Sequence, residues 1–281
     1  TNSDLPDEIT TNLLNSIKSD IVMPILTEFQ NKSFNSVINS LKVLDPACGT
    51  GKFLVEMLEI IYKLLQNLSN GLSACSIIKN NIYGVDINPQ MTFKSKILLY
   101  LKSIELENRV LDAEIYEFNI TSKNTLTDQI FSEDEKFEII IGNPPYVRQE
   151  NIDNKTEIIK NTKKTLNLTK PINKRSDLYI YFFYIGLHLL KPNGILSYLT
   201  SNSWLNIGFG FEFQKYLLEK SKIISIIDNN ERTFDIAEIN TVITFFCKNP
   251  NNLSSDSVHF IKFLTTKDKE KLDIPIFWDI E

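Results

Sequence analysis

A short apolar strand that runs directly into a loop of small residues and then into an amphipathic helix leaves a chain few folds to choose from. Lys42-Val43-Leu44 reads as such a strand, and Asp45-Pro46-Ala47-Cys48-Gly49-Thr50-Gly51 as such a loop. Phe53, Leu54, Met57, Leu58, Ile61 and Leu65 then recur at helical spacing. Together they form the first half of a nucleotide-binding βαβ unit. Gly49 and Gly51 let the backbone approach a ligand closely, and the helix start offers free N–H groups. The loop is not a phosphate-binding P-loop, because the spacing and the Lys-Ser/Thr ending are missing; nor is it the dinucleotide fingerprint. Asp45 repels a phosphate but accepts from an ammonium or a hydroxyl. The ligand implied is a nucleoside without phosphates and with a cationic part.

The alternation continues. A second strand over residues 81–87 ends in Asp86-Ile87-Asn88-Pro89, with a helix from about residue 90. An acid at this strand end commonly holds ribose hydroxyls; its competing structural role is helix capping. A third strand is predicted over 113–120, ending at Phe118-Asn119. The fourth, Phe137-Glu138-Ile139-Ile140-Ile141-Gly142, is stopped by Asn143-Pro144-Pro145-Tyr146. Neither proline donates a backbone hydrogen bond, so the strand cannot continue and the turn is stiff. It carries a side-chain amide, a Pro144 carbonyl of fixed direction and an aromatic ring. Two acceptors and a flat apolar face suit a planar amino group attached to a ring. Strands alternating with helices mean an α/β fold with a largely parallel, doubly wound sheet. The loops after strands one, two and four then meet on one edge.

Residues 151–175 show no apolar period and read as a basic mobile loop. Lys155, Lys160, Lys163, Lys164, Lys170, Lys174 and Arg175 face only Glu157 there. Lys163, Lys164, Lys174 and Arg175 are the phosphate-binding candidates, a solvated loop being the alternative. An aromatic helix opens at Ser176-Asp177-Leu178-Tyr179 and is stopped by Lys191-Pro192-Asn193-Gly194. His188 in it reads as a packed residue rather than a catalyst. A strand over 195–200, a helix over 209–219 and a hairpin of 223–228 with 242–247 follow, and 258–264 suggests an added strand. Near the start, Leu5-Pro6-Asp7-Glu8-Ile9 opens a helical pattern.

The net charge of −5 argues against a general polyanion-binding surface, so nucleic-acid contact falls to a local patch or to a region outside this chain. Cys48, Cys75 and Cys247 have no metal-ligand spacing and read as reduced thiols of a cytoplasmic protein. The longest apolar run, 178–190, is too short to span a bilayer. A first residue of Thr1 suggests a fragment of a longer protein.

Asp45 to Leu54, then Val85-Asp86-Ile87-Asn88-Pro89, then Gly142 to Tyr146 with Val147-Arg148-Gln149-Glu150, resemble the γ-class N6-adenine DNA methyltransferases of restriction–modification systems. The type IIG-like members are closest, and the similarity runs over almost the whole chain. The resemblance implies a Rossmann-like class I methyltransferase dependent on S-adenosylmethionine, with a seven-stranded, mostly parallel sheet and an antiparallel edge hairpin. It divides the chain into an N-terminal helical segment (1–40), a catalytic domain (41–250) and an extension (251–281). The extension leads toward a target-recognition domain or subunit outside this chain.

Carried over by residue, Asp45, Pro46, Ala47, Cys48, Gly49 and Gly51 line the methionine part of the cofactor. Asp86 and Ile87 hold the ribose, Asn119 and Phe182 meet the adenine, and Leu5-Pro6 resembles an N-terminal cofactor-contacting element. The family more often has Asp at Asn119 and Thr at Leu5. Asn143, Pro144 and Tyr146 are catalytic, and Phe234 stacks with Tyr146 on a base extruded from double-stranded DNA. The resemblance implies no metal, and it allows a nuclease as a fused domain or an associated partner outside this chain. The same turn also serves methyltransferases acting on protein glutamine or on RNA; cytosine N4 is a chemically similar acceptor. A silent cofactor-binding subunit of a larger complex is a reading from another class.

Overall fold

The structure, a computed structural model, describes residues 41–66, 72–109, 115–169, 171–206, 208, 210–229, 241–248, 259–263 and 278–279. All but Leu41 belong to one compact unit, Lys42–Glu281. Leu5-Pro6, Lys170 and Phe234 lie outside the described residues.

Strand β1 (Val43–Asp45) is followed by helix α1 (Lys52–Gln66), and α2 (Ala74–Asn81) leads into β2 (Ile82–Asp86). Next come α3 (Pro89–Glu107), β3 (Asn119–Ser122), β4 (Phe137–Gly142), α4 (Lys155–Thr165) and α5 (Leu178–Leu189). Then follow β5 (Leu190–Ser201), α6 (Ser203–Asn206), α7 (Gly210–Lys220) and the pair β6 (Ser221–Asn229) and β7 (Thr241–Lys248). Two short strands, β8 (His259–Phe263) and β9 (Trp278–Asp279), complete one sheet of order β3-β2-β1-β4-β5-β7-β6-β8-β9. The first five strands in that order run parallel, and β7 is antiparallel to both β5 and β6. The seven expected strands are therefore present. The sheet continues past β6, which pairs in parallel with β8.

Parallel strands covered on both faces are apolar throughout, and Val43, Leu44, Ile82, Phe137 and Ile140 are all fully buried. Helix α1 buries Leu54, Leu58, Ile61 and Leu65, one stripe at helical spacing. Each such side chain contributes roughly 1.5–3 kcal/mol by leaving water. Helix α5 is buried almost all round. Its Phe183 ring meets Tyr198, Trp204, Phe213 and Phe246 at centroid distances of 5.1, 6.1, 5.2 and 5.9 Å. That aromatic run is core, as its sequence suggests. Among the described residues no helix is long and apolar enough to cross a membrane.

Three expectations are corrected. The third strand runs Asn119–Ser122 rather than over 113–120; Ile115–Glu117 is a 3-10 turn whose Tyr116 is 76% exposed. Register with β2 decides this, because Tyr83 pairs with Asn119 and Asp86 with Ser122. The segment 151–175 is not a loop throughout, since Lys155–Thr165 is helical. Its buried face is Ile158 and Thr162, and a polar threonine among lysines hides the period. Finally, the aromatic helix does stop before Lys191-Pro192-Asn193-Gly194, but the strand expected over 195–200 begins earlier and runs Leu190–Ser201. Phe137 pairs with Leu190 and Ile139 with Ile195, so the four residues bulge out, with Asn193 at φ +62°.

Candidate active site

The strand order reverses between β1 and β4, which opens a crevice at their carboxyl ends, where open α/β sheets hold ligands. The cavity there has a volume of about 370 Å³, within the range of small-molecule sites. Its wall includes Pro46 and Ala47 after β1, Asp86 and Ile87 after β2, and Asn143 after β4. Phe182 of α5 closes it from one side.

The loop after β1 is held in shape by its own neighbours. Asp45 is 1% exposed, and its Oδ1 accepts from the N–H of Ala47 at 3.0 Å. Burial pushes the Asp45 carboxyl up to about 7, against the Ala47 N–H, and the nearby Asp86 adds to the rise. Cys48 N–H donates to the carbonyl of Val85 at 2.9 Å. Burial drives the Cys48 thiol well above its ordinary range, so it stays protonated.

Gly51 sits at φ +81°, and a Cβ there would lie 2.2 Å from Ser95 Oγ. Only glycine fits both demands. The absent Cβ at Gly142 has another use: it would lie 2.6 Å from Asp45 Oδ1, so glycine at the end of β4 makes room for the buried acid of β1.

Asp86 fastens the second strand end to the first. Its Oδ2 accepts from Gly49 N–H at 2.9 Å and its Oδ1 from Asn88 N–H at 2.8 Å. Helix capping falls to Asn88, whose Oδ1 accepts from Gln90 N–H at 2.9 Å, with Pro89 in the first turn. Asp86 therefore remains on the cavity wall. Ile87 beside it is 70% exposed.

The turn after β4 presents a different face. Asn143 Oδ1 is buried and has no hydrogen-bond partner among the described residues. An unfilled buried acceptor costs about 1–3 kcal/mol, and this one belongs to a residue that lines the cavity. Tyr146 donates its hydroxyl proton to the carbonyl of Leu199 on β5 at 3.1 Å. Its ring meets Tyr179 edge-on, at 6.5 Å and 88°. Tyr179 in turn shares a hydrogen bond with Ser203 Oγ at 2.8 Å. Asp177 accepts from Gln149 N–H at 2.9 Å, and Leu178 N–H donates to Val147 O at 3.0 Å, which docks the post-proline chain onto α5.

Of the residues named from sequence, Pro46, Ala47, Asp86, Ile87, Asn143 and Phe182 line the cavity. Asp45, Cys48, Gly49 and Gly51 lie in or under the loop that shapes it. Asn119 is not brought there. It opens β3 three residues before the strand's end, and its Nδ2 donates to Lys79 O at 2.5 Å. The residues at the cavity end are Lys123, Asn124 and Thr125, with Thr125 Oγ1 donating to Pro46 O at 2.6 Å. Correct pairing of β2 with β3 would have found them from sequence. Lys164, Lys174 and Arg175 are exposed and Lys163 is partly so. His188 sits against Lys136, with Nζ to Nε2 at 3.4 Å, and burial together with Lys136 and Lys248 pushes it down to about 4.

The family model described as Eco57I restriction-modification methylase matches residues 80–234, more than half of the chain. The chain belongs to that family. Among its relatives, the type II restriction enzyme and methyltransferase RM.Eco57I of Escherichia coli is 28% identical, over 90% of this chain and 29% of that protein. The solved type IIL restriction–modification enzyme MmeI, in complex with DNA, superposes with a TM-score of 0.65. It shares 20% identity, with 96% of this chain and 39% of that chain covered. A class I S-adenosylmethionine-dependent methyltransferase structure from Listeria monocytogenes superposes at 0.55, with 17% identity, covering 92% and 64%. This Eco57I-family chain has the class I methyltransferase fold, and it spans less than half the length of the curated relatives it matches.

Proposed function

We propose that this chain is the catalytic part of a restriction–modification DNA methyltransferase that transfers a methyl group from S-adenosylmethionine to N6 of an adenine flipped out of duplex DNA. The observation that carries the reading is the buried, unpartnered Oδ1 of Asn143, a residue that follows β4 at its carboxyl end, precedes a Pro-Pro turn and lines the same cavity as Asp86.

The residues fit the cofactor. Asp86 offers carboxylate lone pairs to hydroxyls, Ile87 and Phe182 offer apolar surface, and Gly49 and Gly51 bring backbone close. When bound, S-adenosylmethionine supplies an electrophilic methyl group. The amino nitrogen of adenine is a poor nucleophile because its lone pair is delocalised into the ring. Asn143 Oδ1 and the Pro144 carbonyl accept its two N–H groups and draw it toward tetrahedral geometry, which localises the pair. Positive charge that grows on the nitrogen meets acceptors already in place, and the interaction strengthens toward the transition state. Tyr146 supplies a face for the base, and stacking of this kind contributes roughly 1–3 kcal/mol. A base inside a duplex is out of reach, so flipping precedes these contacts.

The test is incubation of the full-length protein with tritiated S-adenosylmethionine and mixed-sequence duplex DNA, followed by nucleoside digestion. Label in N6-methyladenine that disappears with Asn143→Ala is the expected result. Label in N4-methylcytosine, or on added RNA or protein instead, overturns the assignment of the acceptor.

A further inference from the structure

Helix α4 has two faces that serve different chemistry. Inward, Ile158 and Thr162 are buried, and Ile158 forms part of the cavity wall with Ile152 and Asp153 of the preceding turn. The helix is pinned on both sides of that cavity. Asn161 Nδ2 donates to Thr127 O in the loop after β3, at 3.3 Å. Lys155 Nζ donates to Gln149 O and Oε1, at 2.9 and 3.0 Å, in the chain that follows the Pro-Pro turn. Lys155 is thus occupied inside the protein.

At 100° per residue the opposite face carries Lys160, Lys163 and Lys164. Lys160 and Lys164 are exposed, Lys163 is partly exposed, and Glu157 is the one acid of the helix. Among the described residues none of these three lysines is in an ion pair. The chain as a whole is acidic, with a net charge of −5, so this cationic face is local to the roof of the cavity. A helix with its side chains is about 10–12 Å across. The ammonium groups therefore stand about one helix diameter from the cavity that Ile158 and Asn143 line.

We propose that α4 couples the two ligands of this site: duplex phosphates seated on Lys160, Lys163 and Lys164 hold the helix down, and its Ile158 face closes over the cofactor. The inference rests on the DNA methyltransferase reading. With α4 lifted, both the phosphate contacts and the apolar wall at Ile158 are lost together, and that gives each ligand a preference for the same closed state. Linkage makes the effect reciprocal: whatever factor the duplex adds to cofactor affinity, the cofactor adds to duplex affinity.

The experiment is calorimetric titration of the full-length protein with S-adenosylhomocysteine, which binds without turnover, with and without a duplex that the protein methylates. The duplex is expected to tighten binding about tenfold, a typical coupling. The variant Lys160→Glu/Lys163→Glu/Lys164→Glu is expected to keep the duplex-free affinity within about twofold while losing the tightening. Its duplex binding should also lose about 2–3 from the slope of log affinity against log salt. Lys→Gln at the same three positions removes charge without reversing it and should leave a smaller tightening. A wild-type affinity that the duplex does not change, or a Glu variant that keeps the full tightening, overturns the proposal. Neither result touches the function itself, which fails separately if the wild-type protein methylates no DNA.

Discussion

The two sides of the cavity are built on opposite terms. On the β1–β2 side three polar side chains are already paired with the protein: Asp45 with Ala47 N–H, Asp86 with Gly49 and Asn88 N–H, Thr125 with the Pro46 carbonyl. On the β4 side the amide oxygen of Asn143 is buried and unpaired. The first side is a rigid frame whose shape exists before a ligand arrives. The second holds an acceptor to which no described residue donates. On the proposed reading, binding and chemistry are divided between these two strand ends, and single substitutions should separate them.

Asn143→Ala is the sharpest separation. It removes the unpaired acceptor and nothing that shapes the opposite wall. The turnover number should fall by about 10²–10³ or more, the loss typical for removing one preorganised polar group from a reacting centre. Cofactor affinity, measured by titration, should stay within about threefold. A comparable loss of cofactor affinity would mean that the two sides are not independent.

Gly142→Ala attacks the contact where the two sides meet. Its Cβ would press on Asp45 Oδ1, and overpacking of this kind costs about 1–3 kcal/mol. Denaturant unfolding would read that cost. In an Asp45→Ala background most of it should vanish, since the atom in the way is gone, and a double-mutant cycle isolates the pair.

The frame was legible in the sequence for a physical reason. Each part carries its own period: apolar runs for β1 and β4, helical spacing for α1, and glycine or proline where they stop. Asn143 was legible because two prolines after a strand leave a turn little freedom. Two features were hidden. The site end of β3 lies at Lys123-Asn124-Thr125, but Ala113 to Ile120 alternates well enough to imitate a strand that ends too early. Pairing with β2 sets that register, and pairing is not local. Helix α4 was hidden because its inward face is Ile158 and Thr162 among lysines, so burial comes from the cavity it covers rather than from an apolar stripe.

Asp45 sharpens the comparison through pH. Burial raises its carboxyl to about 7 in the folded chain, from 3.8 in model compounds. The folded protein therefore keeps a proton that the unfolded chain releases. Its contribution to stability is fully present below about pH 4 and is lost as pH rises through 7. The slope from this one group reaches at most about 1.4 kcal/mol per pH unit. Asp45→Asn cannot ionise, so the difference in stability between variant and wild type should move in the variant's favour from pH 4 to 7 and then level off. A flat difference would show that Asp45 is ionised throughout.

The smallest effect should come from Tyr179→Phe, and it tests whether the β4 side is as rigid as its neighbour. The Tyr179 ring supports Tyr146 edge-on, while its hydroxyl is held by Ser203 at the start of α6. Phenylalanine keeps the ring and removes the tether, leaving Ser203 still bonded to Ser201 Oγ. A net hydrogen bond is worth about 0.5–1.5 kcal/mol, so turnover should fall roughly two- to tenfold with cofactor affinity unchanged. A loss of aim at Tyr146 can be told from a loss of stability by 2-aminopurine placed at the adenine of the proposed target. Its fluorescence rises when the base leaves the stack. If Tyr179 positions the ring, the variant should still flip the base but hold it less firmly, giving a different fluorescence plateau at saturating protein. An unchanged plateau with a lowered melting temperature would make Tyr179 a packing residue and leave Tyr146 positioned by its own bond to Leu199.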